Sequence, residues 1–462
     1  MPADWWAPLK ALRQPDLKTP WLPGMLARNK DTAYLTAHGQ PGTVEEFRSR
    51  VPLTSYEDLR RWLVRIEDGE ADVLFAGRPV AFERTVGSSG GPKLIPVTRE
   101  ALVDVQRAVL PWLTALADRH TITGRAYLAI SPATRRVERV DGIPVGVSDL
   151  EYLGPIAGTV VSRATAVPFS VGAIPDVETW RSQTVTHLAA ASDLEIISVW
   201  SPTFLLQLLD ALARRGHRPS AIWPRLKVVS CWASAASRPF ADELAARLPG
   251  VHLQPKGLLS TEAIVTVPNP DDRPVLTPHG FFEFERNGSV LATDDLIEGE
   301  TYDVIVTTAG GLYRYRTGDL VRCDGWTDPE GARPILEFVG RSDLTSDLVG
   351  EKLTDVFVAS CLEHIPGFRL LVPDSRIPCY VLVTDGRADV DPDEIDLRLR
   401  RNPQYAYART LNQLSPLRVR RVPDLFDRFV TLHMGRGVRL ADVKPVSLAR
   451  DPDWAPILGG DA

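Results

Sequence analysis

Asp319 closes the run Leu312-Tyr313-Arg314-Tyr315-Arg316-Thr317-Gly318-Asp319, and a little further on the chain reads Gly340-Arg341-Ser342-Asp343. An ionised carboxylate accepts hydrogen bonds at both oxygens, so on a rigid Thr-Gly turn it can hold the two hydroxyls of a ribose. A Gly-Arg-x-Asp turn soon after can hinge a small C-terminal domain over the bound nucleotide, with Arg341 and Asp343 marking the hinge. The pairing suits the conversion of ATP and a carboxylate into an acyl-adenylate.

Three other segments could serve the same chemistry. Residues 85–93 read Thr-Val-Gly-Ser-Ser-Gly-Gly-Pro-Lys. Glycines on either side of Ser88 and Ser89, Gly90 among them, leave backbone and hydroxyl donors free to wrap phosphate oxygens, and Lys93 adds a point charge. The segment is not a P-loop, because Pro92 stands where Gly is required and Leu94 follows the lysine. Ser260-Thr261-Glu262 offers hydroxyls for an α-phosphate and, in Glu262, a carboxylate for Mg²⁺, an ion held by one or two carboxylates together with phosphate oxygens. The same triplet equally describes a helix cap with a charged first turn. Lys444, in Ala441-Asp442-Val443-Lys444-Pro445, could bring an ammonium to the α-phosphate on a mobile domain. Taken singly, each of these also reads as an ordinary loop, turn or surface residue.

Lysine is scarce: only 8 of the 53 basic residues are lysines. A lysine inside a motif of such a chain is a candidate for work that a planar guanidinium does poorly, such as fitting between phosphate and carboxylate oxygens. No rival set is present. The eight histidines are dispersed and form no H-E-x-x-H, and the four cysteines lack metal-ligand spacing and read as buried thiols.

Several elements must position these groups. Residues 80–84 read as a strand, followed by the Gly/Ser loop and a helix near 99–118, where Leu102, Val105, Val109, Leu113 and Leu116 recur at helical spacing. Ser201-Pro202 caps a helix that Gly216 ends. Residues 226–230 form an apolar strand, followed by a small-residue loop, a helix to about Leu248 and a strand at 251–253. That order implies a parallel sheet whose carboxyl-end crevice takes in residues 232–234 and 258–262. From 275 the pattern turns β-rich: 302–307 alternates, Gly310-Gly311 turns, and 312–316 returns as a strand. Arg314 and Arg316 would then share a charged face opposite Tyr313 and Tyr315. Glu283 and Glu285 read as structural or solvated.

A chain of 462 residues, 44% hydrophobic and 24% charged, suits two or three domains of a soluble globular protein. We place a large domain at 1–340 and a small α/β domain at 341–462. A net charge of −6 gives no support to nucleic-acid binding, and no apolar run reaches the ~20 residues of a membrane span. No signal peptide is evident, so a cytoplasmic location is expected.

The order of the motifs resembles that of the adenylate-forming superfamily, and more closely the auxin-responsive Gretchen Hagen 3 family of acyl acid–amido synthetases. The resemblance runs from about residue 20 to 445. It is carried by residues 50–70, by Lys93-Leu94-Ile95-Pro96, and by the segments 256–263, 279–285, 299–321 and 338–353. It implies an α/β adenylate-forming fold with a large N-terminal domain and a small mobile C-terminal one. It also implies ATP and Mg²⁺ as cofactors, and a carboxylic acid with an amine, usually an amino acid, as substrates. Carried over, Ser88, Ser89, Gly90 and Lys93 would face phosphates. Ser260, Thr261 and Glu262 would line the adenylate, with Glu262 on the metal. Asp319 would hold the ribose, Arg341 would lie at the nucleotide and hinge, and Lys444 would assist adenylation. The alternative is a thioester ligase that uses coenzyme A or a carrier through the same adenylate; a third reading is a non-catalytic nucleotide-binding protein.

Overall fold

The structure, a computed structural model, describes residues 21–86, 92–131, 138–147, 149–327, 333–374, 377–386, 389–436 and 438–450. Near its start lies the helix Tyr56–Glu67. Its first turn is closed by a reciprocal cap between Ser55 and Asp58, and it buries Tyr56, Leu59, Leu63 and Ile66 along one stripe. Strands β1 (Ala81–Val86) and β2 (Pro92–Val97) form an antiparallel hairpin, so the Gly/Ser segment is its connection. The helix Arg99–Arg119 follows as expected, capped by Thr98, whose side chain accepts from the N–H of Ala101.

β3 (Arg125–Leu128) is followed by two short strands, β4 (Glu138–Val140) and β5 (Ile143–Val145), which join the hairpin in a sheet of order β2-β1-β5-β4. Then come β6 (Leu194–Ser198), β7 (Val228–Cys231) and β8 (His252–Pro255), with the helices Pro202–Arg214 and Arg238–Arg247 as crossovers. The second sheet, β3-β6-β7-β8, is parallel throughout, as the strand–helix–strand order implies. Its carboxyl ends carry Ser198, Trp232 and Lys256.

A seven-stranded antiparallel sheet follows. It consists of β9 (Thr266–Pro268), β10 (Pro274–Leu276), β11 (Phe281–Arg286), β12 (Ser289–Leu291), β13 (Thr301–Thr307), β14 (Tyr315–Trp326) and β15 (Pro334–Arg341), in the order β12-β11-β13-β14-β15-β10-β9. One expectation fails here. Residues 312–314 are not strand, and Arg314 does not lie on an exposed charged face. Its backbone has a φ of 45° and its side chain is buried. Arg314 Nε and Nη2 donate to the two oxygens of fully buried Glu283 at 2.9 and 3.1 Å, and Nη1 donates to the carbonyls of Arg48 and Val51. Arg316, two residues on, does face out, and pairs with Glu285. Alternation could not reveal the difference, because it assumes extended backbone through both residues.

The C-terminal region folds around its own small sheet, Arg369–Asp374, Cys379–Thr384 and Arg418–Arg421. Strand alternation gives that sheet two apolar faces. Leu371, Tyr380 and Leu382 pack with Val358, Leu362, Ile395 and Leu399 in a core of C-terminal residues. Leu370, Val372, Val381 and Val383 join a core that continues into Phe240, Leu244 and Leu209 of the parallel-sheet region. Phe240 lies 5.4 Å from Phe426 and 6.1 Å from Phe368, ring centroid to centroid, and Gln207 donates to Asp427 at 2.9 Å. Among the described residues, no helix is long and apolar enough to cross a membrane.

Removing one partner of a buried ion pair strands the other charge, whereas an exposed pair is worth little. Glu283→Ala should therefore destabilise the protein by about 3–5 kcal/mol in urea unfolding. Glu285→Ala should cost less than about 1 kcal/mol. Equal effects would show that Arg314 does not depend on Glu283.

Candidate active site

Asp319 sits in a defect of β14, not on a free turn. Asp303 pairs with Leu320 and Ile305 with Arg316, so three residues of β14, 317–319, stand against one of β13, Val304. This is the geometry of a bulge, which re-aims side chains. Gly318 permits it with a φ of 78°, and a Cβ there would lie 3.0 Å from the Asp343 carboxyl carbon. Thr317 Oγ1 donates to the Val304 carbonyl at 3.1 Å and accepts from the Asp319 N–H at 3.1 Å, which fixes the bulge from within.

On the other side Asp319 faces Arg341, its cross-strand partner at the end of β15. Arg341 Nη1 donates to Asp319 Oδ1 at 3.0 Å and Nη2 to the Thr317 carbonyl at 2.9 Å. Nε and Nη2 together grip Asp343 at 2.8 and 3.0 Å. Gly340 is required beside it, since a Cβ would fall 2.4 Å from Val356 Cγ2. Asp319 is only 4% exposed. Burial pushes its carboxyl up to about 6; Arg341 and then Lys444 oppose the shift, while Glu262 and Asp343 add to it.

Those influences locate the other candidates. Residues 260–263 form a tight turn: the Ser260 N–H donates to the Ala263 carbonyl at 3.0 Å, and Ser260 Oγ accepts from the Ala263 N–H at 3.2 Å. No helix is capped here. Thr261 and Glu262 occupy the tip, Thr261 exposed and Glu262 half-buried. Among the described residues the Glu262 carboxylate accepts no hydrogen bond, yet it is close enough to disfavour ionisation of Asp319 and Tyr315. Lys444 holds its ammonium 4.8 Å from the centroid of the Trp232 ring, in a cation–π contact. Lys93 sits on β2 with its ammonium 5.4 Å from the Tyr56 ring centroid. Tyr56 accepts from the Leu94 N–H at 3.1 Å, and its phenol bears on that of Tyr315. Ser88, Ser89 and Gly90 lie outside the described residues.

Glu262, Asp319, Arg341, Asp343 and Lys444, drawn from three distant stretches of sequence, thus share one electrostatic neighbourhood, and Lys93 borders it through Tyr56 and Tyr315. Sequence reasoning placed Trp232 in the crevice but missed the other aromatic walls. Tyr56 and Tyr315 are hidden among ordinary core aromatics, and only position directly after β7 marks Trp232.

The N-terminal domain of the GH3 family matches residues 13–219, and the family's central domain matches residues 274–341. The chain belongs to the GH3 family. Among GH3 relatives, the indole-3-acetic acid-amido synthetase GH3.4 of Arabidopsis thaliana is 23% identical, over 74% of this chain and 69% of that protein. The probable indole-3-acetic acid-amido synthetase GH3.1 of Oryza sativa subsp. japonica is 23% identical, over 91% of this chain and 85% of that protein. The solved structure of AtGH3.15 acyl acid amido synthetase in complex with 2,4-DB superposes with a TM-score of 0.81 at 20% identity, covering 95% of this chain and 92% of its own. A 2-hydroxyisobutyryl-CoA ligase in the postadenylation state, in complex with 2-HIB-AMP, superposes with a TM-score of 0.58 at 13% identity, covering 95% and 94%. The fold is that of the adenylate-forming enzymes, a mixed α/β architecture with a large N-terminal and a small C-terminal domain.

The raised Asp319 makes a prediction about stability. An unfolded aspartate titrates at 3.8, so between about pH 4 and 6 the folded chain keeps a proton that the unfolded chain has lost. The stability linked to that proton is present at low pH and is lost as pH rises through about 6. Asp319→Asn, which mimics the protonated side chain, should gain stability over the natural protein above about pH 6, by up to about 3 kcal/mol. The gain should fade toward about pH 4. Urea unfolding across this range measures it, and a pH-independent difference would refute the raised titration.

Proposed function

We infer that this GH3 chain is an ATP-dependent acyl acid–amido synthetase acting on a small-molecule carboxylic acid and an amine, the amine being an amino acid. In the first step a carboxylate oxygen attacks the α-phosphorus of ATP. A P–O bond forms, the bond to the β-phosphate oxygen breaks, and pyrophosphate leaves with the electron pair. In the second step the amine nitrogen attacks the acyl carbon. A C–N bond forms, the C–O bond to AMP breaks, and the nitrogen loses a proton. Activation is needed because a carboxylate is a poor electrophile and AMP is a good leaving group.

The observation that carries this reading is the meeting of Asp319, Arg341, Glu262 and Lys444 around one buried carboxylate. Asp319 would accept from the ribose hydroxyls, while Arg341 keeps it ionised and oriented. Lys444 would stabilise the charge that builds on the α-phosphate as attack proceeds. Lys93, with Ser88, Ser89 and Gly90, would hold the outer phosphates, and Ser260 and Thr261 the adenylate. Asp319 and Asp343 are engaged by Arg341, which leaves Glu262 as the carboxylate suited to Mg²⁺, shared with phosphate oxygens. Mg²⁺ bound there would neutralise phosphate charge. We assign residues 1–340 to the large domain and 341–462 to the small one, whose rotation about Arg341 and Asp343 would withdraw Lys444 and admit the amine. The four cysteines are all buried and free, which agrees with a cytoplasmic setting.

Acid-dependent ATP–pyrophosphate exchange tests the first step without an amine. Asp319→Ala should abolish it, and unchanged exchange would remove Asp319 from the ribose. Lys444→Ala should lower exchange by about 10²-fold or more, yet leave amide formation from supplied acyl-AMP near the natural rate. Equal loss of both would place Lys444 outside the first step. Product formation with coenzyme A in place of amino acids would decide for the thioester ligase.

A further inference from the structure

One buried cation of this region has no part in the steps above. Lys256 follows directly on β8 and is 7% exposed, rare burial for a lysine. Its ammonium stands 5.0 Å from the centroid of the Trp112 ring and 5.1 Å from that of Trp200, and donates to Ser198 Oγ at 2.8 Å. Ser198 ends β6, Trp200 lies two residues on, and Trp232 follows β7. The Trp232 N–H donates to the Trp200 carbonyl at 2.9 Å, and the Lys256 N–H to the Cys231 carbonyl at 2.8 Å. All these groups therefore sit at the carboxyl ends of adjacent parallel strands, the edge at which such sheets bind ligands. Trp112 is fixed in turn, its indole N–H donating to Gln254 at 3.1 Å.

Lys444 touches the neighbouring indole of the same aromatic group. Its ammonium rests on Trp232, whose ring centroid is 6.0 Å from that of Trp200, and Lys256 rests on Trp200. Each of two neighbouring indoles thus carries one of the two cations. A flat acid lying along that pair, with its reacting carboxylate toward Lys444, would direct its far end at Lys256.

We propose that Lys256, positioned by Ser198 and the indoles of Trp112 and Trp200, reads the far end of the acyl acid. The acid preferred by this chain is an aryl acid carrying a hydrogen-bond acceptor, such as a second carboxylate or a hydroxyl, opposite the carboxylate that is activated. Flat indole faces favour the aryl body, and a cation held between two rings favours an electron-rich terminus. The inference rests on the adenylating activity proposed above.

The test is pyrophosphate exchange by the full-length chain with 3-phenylpropionate, its para-hydroxy and para-carboxy derivatives, and hexanoate. The natural protein should favour the para-substituted acids over 3-phenylpropionate by about tenfold or more in kcat/KM. Lys256→Met keeps the aliphatic stem between the indoles. It should erase that preference by raising KM for the para-substituted acids, with kcat within about threefold and no fall in melting temperature. Ser198→Ala should shift the preference in the same direction but less. The same preference in the natural protein and Lys256→Met would overturn the proposal, as would a natural preference for 3-phenylpropionate or exchange with hexanoate alone. An effect confined to the KM of the amino acid in the second step would move Lys256 to the amine substrate and equally overturn it. Exchange with no acid of any class would instead strike down the adenylating activity itself.

Discussion

The guanidinium of Arg341 is the constraint on which the site depends. One planar cation satisfies two carboxylates and a carbonyl at once, bridging Asp319, Asp343 and Thr317. A lysine could not do this, since its donors do not form a planar fork. The bridge closes the bulge of β14 against the end of β15, where the chain leaves the large sheet for the C-terminal region. The group that orients the Asp319 carboxylate is therefore also the group that sits at the point of departure. The bridge does not make Asp319 comfortable. Burial still dominates over Arg341 and Lys444 in its titration, so ionised Asp319 is held by the surrounding fold against its own preference. Pre-organised sites commonly carry such strain, and the apolar cores on either side offset it.

The position of Lys444 follows from how the C-terminal region is anchored. The segment before it leans on the large domain: the Ala441 N–H donates to Ser131 Oγ at 3.3 Å, and Arg439 and Asp442 bear on the buried carboxyl of Glu83. The segment after it belongs to the small sheet, where the N–H groups of Ser447 and Leu448 donate to Asp355 Oδ1 at 2.7 and 2.9 Å, and the Leu371 N–H donates to the Ser447 carbonyl. Lys444 stands between these two attachments. Any rotation of the small domain that carries Asp355 must pull on this stretch and release the contacts at Ser131 and Trp232. Under the proposed rotation, delivery and withdrawal of the ammonium would be tied to the seam formed by Phe240, Phe368 and Phe426.

What was legible in the sequence depended on whether a signal was local. The parallel sheet, the strand and the helix on either side of the Gly/Ser segment and the alternation of β13 followed from periodicity and turn residues, which act over a few positions, whereas the pairing of β1 with β2 did not. Asp319 and Arg341 stood out because chemistry and spacing coincided. Arg314 did not, because its fate rests on Glu283, 31 positions away, and on carbonyls more than 260 away. Ser260 shows the reverse case. Its hydroxyl and the carboxylate of Glu262 fit a helix cap equally well, and only the folded chain shows a turn closed between Ser260 and Ala263 instead. The bulge at 317–319 was unreadable, since the extra residues exist only relative to β13.

The scarcity of lysine acquires a physical sense in the folded chain. Lys93, Lys256 and Lys444 all end on aromatic faces: Tyr56, then Trp112 with Trp200, then Trp232. Arginine also stacks on rings, but it lies flat over them and points its donors outward in a fixed plane. An ammonium on a ring presents its donors as a compact cone about one axis, and it can rotate to follow an oxygen that changes position. Phosphate and acyl oxygens do change position when a carboxylate becomes an adenylate. Where oxygens stay fixed, as at Asp319 and Asp343, the chain uses the rigid fork of Arg341 instead. On the roles proposed above, the division between the two cations in this region would follow whether the partner moves during the reaction.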